Sequence, residues 1–221
     1  MAISFDAHSA NSTTAGSVVH GTLTVGGTGG IVLAYMFNGG TAPPIGNGTV
    51  KYAGTNMTLL LSGTQTGDPF SAQIWYLLNP PSGLGTLNGT YPGTPSGGEY
   101  DTLLVSYLGV NQATPFAGSQ SKIGTSQSAN GTIAFTSLPT NTWAVGVAAY
   151  DNNTGTVATG NFRGTAGSGA MVIGADNTTG TIAWSNTNNV SNYVLLGAEL
   201  QATPSGAASP GYISLLGVGQ I

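Results

Sequence analysis

Two carboxylates stand two residues apart in Glu99-Tyr100-Asp101. In a strand, residues i and i+2 share a face, so the pair would lie side by side and tune each other's pKa. Paired acids of this kind do glycosidase chemistry when they flank a scissile bond. A third acid to complete such a site is missing, because positions 103 and 104 are both Leu. The competing reading is a solvated pair, since a Gly-rich stretch precedes it. His8 and His20 are the only imidazoles, and both fall in N-terminal strand patterns. No Gly-x-Ser-x-Gly elbow presents a nucleophile to either of them, and the chain has no Cys. The expectation is a non-enzymatic chain with no catalytic residue.

Hard-oxygen ligands for Ca²⁺ are the next chemistry to weigh. Asp151 with Asn153, and Asp176 with Asn177, offer carboxylate and amide oxygens in two closely similar stretches, Asp-Asn-Asn-Thr-Gly-Thr-Val-Ala and Asp-Asn-Thr-Thr-Gly-Thr-Ile-Ala. The full Asp-x-Asx-x-Asx-Gly loop with a distal Glu is absent, so an Asx turn without an ion competes with a structural Ca²⁺. Nothing else in the sequence implies a cofactor: no phosphate-cradling Gly-x-x-x-x-Gly-Lys and no dinucleotide fingerprint occur. Asn-x-Ser/Thr triplets at Asn11, Asn47, Asn56, Asn88, Asn130, Asn152, Asn177 and Asn189 read as turn chemistry in a chain rich in Asn and Thr.

Trp75, Tyr91, Tyr100 and Trp143 are candidates for stacking on sugar rings, beside Asn and Asp hydrogen-bonders. The same aromatics in apolar strands equally suit a core. Exposure decides between the two.

The elements that must position these residues follow from composition. Charged residues are 5% of the chain, against roughly 25% in an ordinary soluble domain. Gly reaches 36 residues while hydrophobic residues hold 40%, which supplies a core but breaks any long helix. Lys51, Lys122 and Arg163 are the only cations, and the net charge is -4. Nucleic-acid binding is excluded, because several phosphate-neutralising cations would be needed on one face. No apolar run approaches the ~20 residues of a membrane span. The first residues carry neither a basic nor an apolar targeting segment, so synthesis in a cytoplasm is expected.

Short apolar segments with period-two alternation predict strands at 2–8, 17–25, 30–37, 49–52, 57–62, 70–78, 100–108, 131–135, 143–150, 156–161, 170–173, 180–185 and 193–201. Asn-Gly-Thr at Asn47, Asn88 and Asn130 predicts hairpin turns. In residues 143–150 one strand face offers only Ala and Gly before Tyr150, so another layer is expected to approach closely there. The fold expected is all-β: a two-sheet antiparallel β-sandwich, jelly-roll or concanavalin-like. Residues 1–202 form the sandwich domain. Residues 203–221 form a Pro/Gly/Ser linker and an apolar docking arm, whose Tyr212, Ile213, Leu215, Leu216, Val218 and Ile221 are the expected assembly contacts. One more strand of the same sandwich is the alternative for that arm.

Three segments also carry a resemblance. They are Val50-Lys51-Tyr52-Ala53-Gly54-Thr55, Ile74-Trp75-Tyr76-Leu77-Leu78-Asn79-Pro80-Pro81-Ser82-Gly83 and Gly109-Val110-Asn111-Gln112-Ala113-Thr114-Pro115. Together they resemble a β-sandwich module that recurs in bacteriophage structural proteins and bacterial surface proteins. Its pattern has a Tyr-Gly-Gly turn, then Trp-Tyr-Leu-x-x-Pro-Pro-x-Gly, then Gly-Val-Asp-Gln-x-x-Pro. Ala53 and Asn111 depart from it. The resemblance implies a virion structural protein, a capsid decoration protein or a head or tail fibre component, at the virion surface after synthesis in the host cytoplasm. Its implied partners are copies of itself as a homo-oligomer and other virion proteins such as the major capsid protein. A nearly uncharged surface suits such packing, since few charges need desolvating. The alternative is a carbohydrate-binding or adhesin module that recognises a host surface glycan.

Overall fold

The protein is described by a computed structural model covering residues 1–13, 18–39, 50–64, 70–90, 99–124, 130–135, 138–150, 155–167, 171–186 and 193–204. The first half of the chain contributes β1 (Ser4–Thr13), β2 (Val18–Val25), β3 (Gly30–Gly39), β4 (Lys51–Tyr52), β5 (Thr55–Asn56), β6 (Thr58–Thr64), β7 (Phe70–Leu78), β8 (Gly83–Thr90) and β9 (Glu99–Leu108). The second half contributes β10 (Phe116–Gly124), β11 (Asn130–Ala134), β12 (Thr142–Tyr150), β13 (Gly155–Thr159), β14 (Asn161–Ala166), β15 (Met171–Asn177), β16 (Thr181–Asn186) and β17 (Tyr193–Gln201). All pairings are antiparallel, and the described residues contain no helix. The all-β antiparallel expectation therefore holds.

The strands form four sheets rather than two. In the first half β1-β9-β3-β7-β6 is the inner sheet and β2-β8-β4-β5 the outer one; in the second, β10-β17-β12-β15-β14 is inner and β11-β16-β13 outer. Matching β10 to β1, β11 to β2, β12 to β3 and so on, with β13 for the β4–β5 pair, makes the two orders coincide. The halves share even their irregularities. The β6–β7 register slips between Leu59 and Leu61, and the β14–β15 register slips between Phe162 and Gly164. Leu60 and Arg163 are thus the same bulge residue in the two halves.

Burial explains the layering. Along β3, Ile31, Leu33, Tyr35 and Phe37 face one apolar cluster, while Val32, Ala34 and Met36 face another. A strand buried on both faces reads as a continuous hydrophobic run, as this one does. Each half fills the space between its own two sheets, around Trp75 in the first and Trp184 in the second. The largest cluster lies between the two inner sheets and draws on both halves. The predicted close approach at β12 is present: a Cβ on Gly146 would lie 3.2 Å from Trp184 Cη2.

The halves meet about a local two-fold. Val110 and Ala202, just beyond β9 and β17, form an antiparallel bridge. Around it Asn111 N–H donates to Gln201 O (2.9 Å), and Thr203 N–H donates to Gly109 O (2.8 Å). Val110 N–H donates to Gly29 O (3.3 Å) and Ala202 N–H to Asn141 O (3.1 Å). Gly29 (φ 71°) and Asn141 (φ 64°) are both left-handed and immediately precede β3 and β12. Across the seam β1 packs on β14, and β10 packs on β6.

Some local readings change. Strands β8, β10 and β14 carry no alternating apolar pattern, and periodicity does not predict them. Asn88 lies within β8, opposite His20, and Asn130 opens β11, so neither is a hairpin turn; tertiary pairing overrides local turn preference there. Asn47 lies outside the described residues. A two-residue hairpin with both φ values positive instead joins β4 to β5, through Ala53 (φ 48°) and Gly54 (φ 79°). Residues 205–221, with Tyr212, Ile213, Leu215, Leu216, Val218 and Ile221, lie outside the described residues.

Candidate functional site

Among the described residues, a dense polar constellation lies on the seam between the inner sheets. Asp176, near the end of β15, is fully buried. Its strand neighbours across β14 and β12 are Asn161 and Val145, which fix the carboxylate toward the first half. Arg163, pushed out of register by the β14 bulge, grips it with Nε on Oδ2 and Nη2 on Oδ1 (3.0 Å). Tyr107 Oη of β9 donates to Oδ2 (3.0 Å), and Asn161 Nδ2 donates to Oδ1 (2.9 Å). The guanidinium also lies over the Phe5 ring, 4.2 Å from its centroid. Tyr107 stacks edge-on against both Phe5 and Trp143.

This arrangement fills the lone-pair directions of a carboxylate, which accepts about four hydrogen bonds. Asp176 thus has no oxygen left over for a substrate proton or a cation. The Tyr107 hydroxyl is held protonated well above its ordinary range, first by burial, then by its neighbours Tyr35 and Asp176, with Arg163 partly offsetting. Tyr35 is raised in the same way, by burial and then by Asp176. Neither phenol can serve as a base or nucleophile near neutral pH. The cluster's work is to hold two sheets in one relation.

The sequence candidates fall as follows. Trp75 is wholly buried between the first half's sheets, with Nε1 donating to Gln73 Oε1 (3.3 Å). Tyr100 is buried in the same cluster. Trp143 is half-buried against the seam core. These three rings therefore form no open stacking groove, because apolar area was worth more inside the sheets; Tyr91 lies outside the described residues. Asp176 is an anion clasped by donors rather than a Ca²⁺ ligand, and Asn177 Oδ1 caps an Asx turn by accepting from Thr179 N–H (3.0 Å). Asp151 and Asn153 lie outside the described residues. Among the described residues no three His, Cys, Asp or Glu side chains gather where they could hold a metal ion. Asp101, in β9, is fully buried rather than solvated; the side chain of Glu99 lies outside the described residues. His8 is exposed on β1, its ring 6.1 Å from Phe5.

Among the described residues, two clefts open to solvent. One, of about 320 Å³, lies between edge strands β1 and β2 and is lined by Ser9, Asn11, Gly21, Thr22 and Thr86. The other, of about 300 Å³, lies beside the two-fold and is lined by Asn111, Asn141, Gln201 and Thr203 among others. Both present hydroxyl and amide groups and no charge. The second cleft is braced by its own Asx turn, in which Asn111 Oδ1 accepts from Ala113 N–H (3.0 Å) and Thr114 N–H (3.2 Å).

Sequence reasoning did not find the Arg163–Asp176–Tyr107 cluster. Tyr107 and Asp176 are 69 residues apart and belong to different halves. The one available signal was Arg163 itself, one of three cations in the sequence, beside an aromatic, Phe162. No family model matches the chain, and no curated protein and no solved structure matches it either.

Proposed function

We propose that this chain is a non-enzymatic structural protein of a virus particle, a capsid decoration protein or a head or tail fibre component. The observation that carries the reading is the repeated strand order: β1-β9-β3-β7 against β2-β8-β4, and β10-β17-β12-β15 against β11-β16-β13. We read each half as a jelly roll, the architecture of viral capsid and lectin domains. Three further points support assembly. The outer strands present Thr, Ser and Asn with almost no charge, which lowers the desolvation cost of packing copies together. The strongest polar cluster is spent on internal cohesion. The module resemblance in the Trp75, Lys51 and Asn111 segments points the same way. Mass spectrometry of purified particles tests the proposal: stoichiometric amounts of the chain are expected, and finding it only as a free cytoplasmic monomer overturns it.

The neutral hydroxyl and amide lining of the two clefts favours a second reading, a glycan-binding module for host surfaces. The burial of Trp75 and Tyr100 weighs against it, since sugar sites lean on exposed rings. Binding on a glycan array that Asn141→Ala and Gln201→Ala abolish would move this reading to first place.

A further inference from the structure

The seam joins equivalent faces of two similar halves, as in an isologous dimer. By backbone alone, two first halves from different copies, or two second halves, would dock as well as a first half with its own second half. The side chains break that equivalence twice. On one flank of the two-fold stand Tyr107, Arg163 and Asp176; register places Leu200, Leu60 and Tyr76 at the matching positions on the other. The second break is one of volume. A Cβ on Gly174 would lie 2.6 Å from Leu103 Cδ2 and 3.3 Å from Tyr35 Cε2, so the first half fills a hollow in the second. At the matching positions the first half has Ile74 where the second has Gly174, and the second has Val147 where the first has Tyr35.

Like pairing fails on both counts. Two first halves would press Tyr35 onto Ile74 and leave the Tyr107 hydroxyl without its carboxylate. Two second halves would set Asp176 against Leu200 and leave the Gly174 hollow empty. Each fault recurs at both flanks, because a like pair is symmetric. Asp176 would keep Arg163 and Asn161 from its own half and lose only the Tyr107 donor. Overpacking, a cavity and a buried polar group short of one partner each cost on the order of 1–3 kcal/mol.

We propose that Tyr35, Tyr107, Arg163, Gly174 and Asp176 form a pairing code that makes a first half accept only a second half and excludes like-with-like association between copies. The discrimination is built by repulsion as much as attraction. It keeps each chain closed on itself when many copies are concentrated together, and it does not depend on the function proposed above.

The absence of Cys from the chain gives a clean test. Val110 is fully buried on the two-fold, opposite Ala202, so a first-half pair would bring two copies of residue 110 face to face. The full-length V110C chain is refolded from denaturant at rising concentration under oxidising conditions, and linked dimer is read on a non-reducing gel. V110C alone is expected to give only a trace. V110C with Y35V, Y107L, R163L, D176Y and G174I, which copies the opposite flank, is expected to give about tenfold more, rising with concentration. Equal yields in the two chains overturn the proposal, as does concentration-dependent linkage in V110C alone. Circular dichroism checks folding. If the multiple variant does not fold, V110C with Y107F decides: a severalfold rise in dimer supports the code, and no rise overturns it.

Discussion

The two flanks of the seam place the same backbone under different loads. On one, a bulged Arg163 reaches a buried Asp176 and a tyrosine hydroxyl arrives from the facing sheet. On the other, the bulged Leu60 and the Tyr76 ring pack against the common core, with Phe116 meeting Tyr76 edge-on at 5.1 Å between centroids. Phe5 and Phe116 themselves stand at matching positions, opposite Tyr107 and Leu200. A β-bulge therefore prescribes where a side chain is aimed, and not whether the space is filled by charge or by hydrocarbon. The apolar flank tolerates losses gradually. The ionic flank hinges on Asp176, because removing that carboxylate strands its donors in a medium that solvates them poorly.

The largest contrast comes from cutting each flank once. Asp176→Ala should destabilise the fold by about 3–5 kcal/mol, since it leaves a guanidinium, a phenol and an amide unpaired. Leu60→Ala, half-buried at the matching bulge, should cost about 2 kcal/mol or less. Urea titrations followed by tryptophan fluorescence compare them; equal costs would erase the distinction. Next in size is the hollow. Gly174→Val should cost about 1–3 kcal/mol by overpacking against Leu103 and Tyr35, read as a lower thermal midpoint.

Tyr107→Phe sharpens the comparison at about 1 kcal/mol, the worth of one hydrogen bond to a carboxylate that keeps three other donors. It also has a pH signature. Burial raises Tyr35, Tyr107 and Tyr150 above the ordinary value of 10.0 in the folded chain, so these phenols stay protonated while the unfolded chain ionises. The unfolded state then binds fewer protons than the folded state, and stability falls as pH rises through about 10. The Phe variant should lose stability less steeply over that alkaline range, because one of the contributing groups is gone. Parallel alkaline curves for both chains would contradict the burial of this hydroxyl. The smallest effect tests the two-fold itself. Gly29→Ala and Asn141→Ala should each cost about 1 kcal/mol or less, with glycine the more sensitive, since only the left-handed backbone penalises the new Cβ. A Gly29→Ala variant as stable as the unaltered chain would sink the matched-turn assignment.

How much of this was legible in the residues depends on distance along the chain. Thirty-six glycines, few charges and period-two segments such as Ser71-Ala72-Gln73-Ile74-Trp75-Tyr76 already required an all-β chain. The Ala/Gly face of β12 announced a closely approaching layer, which Trp184 supplies. The repeat was not legible. β1 and β10 share a place in the fold but no sequence pattern, because a sheet needs only inward apolar area and tolerates many ways of supplying it. For the same reason β8 and β14, rich in Gly, Thr and Asn, gave no strand signal until their neighbours paired with them.

Local chemistry, then, was determined by the sequence alone: strand rather than helix, an Asx turn in the Asp176-Asn177 stretch, and enough apolar residues for a core. Those properties depend on a residue and its near neighbours, and the chain writes them down directly. Only the tertiary structure decided that there are four sheets in two matched halves, and that Trp75 and Tyr100 lie inside. It alone decided that Asp176 is clasped by Arg163 and Tyr107 rather than left for an ion. Such facts rest on pairings between residues tens of positions apart. Those pairings are selected by the burial of whole sheets, and no single segment contains the information to choose among them.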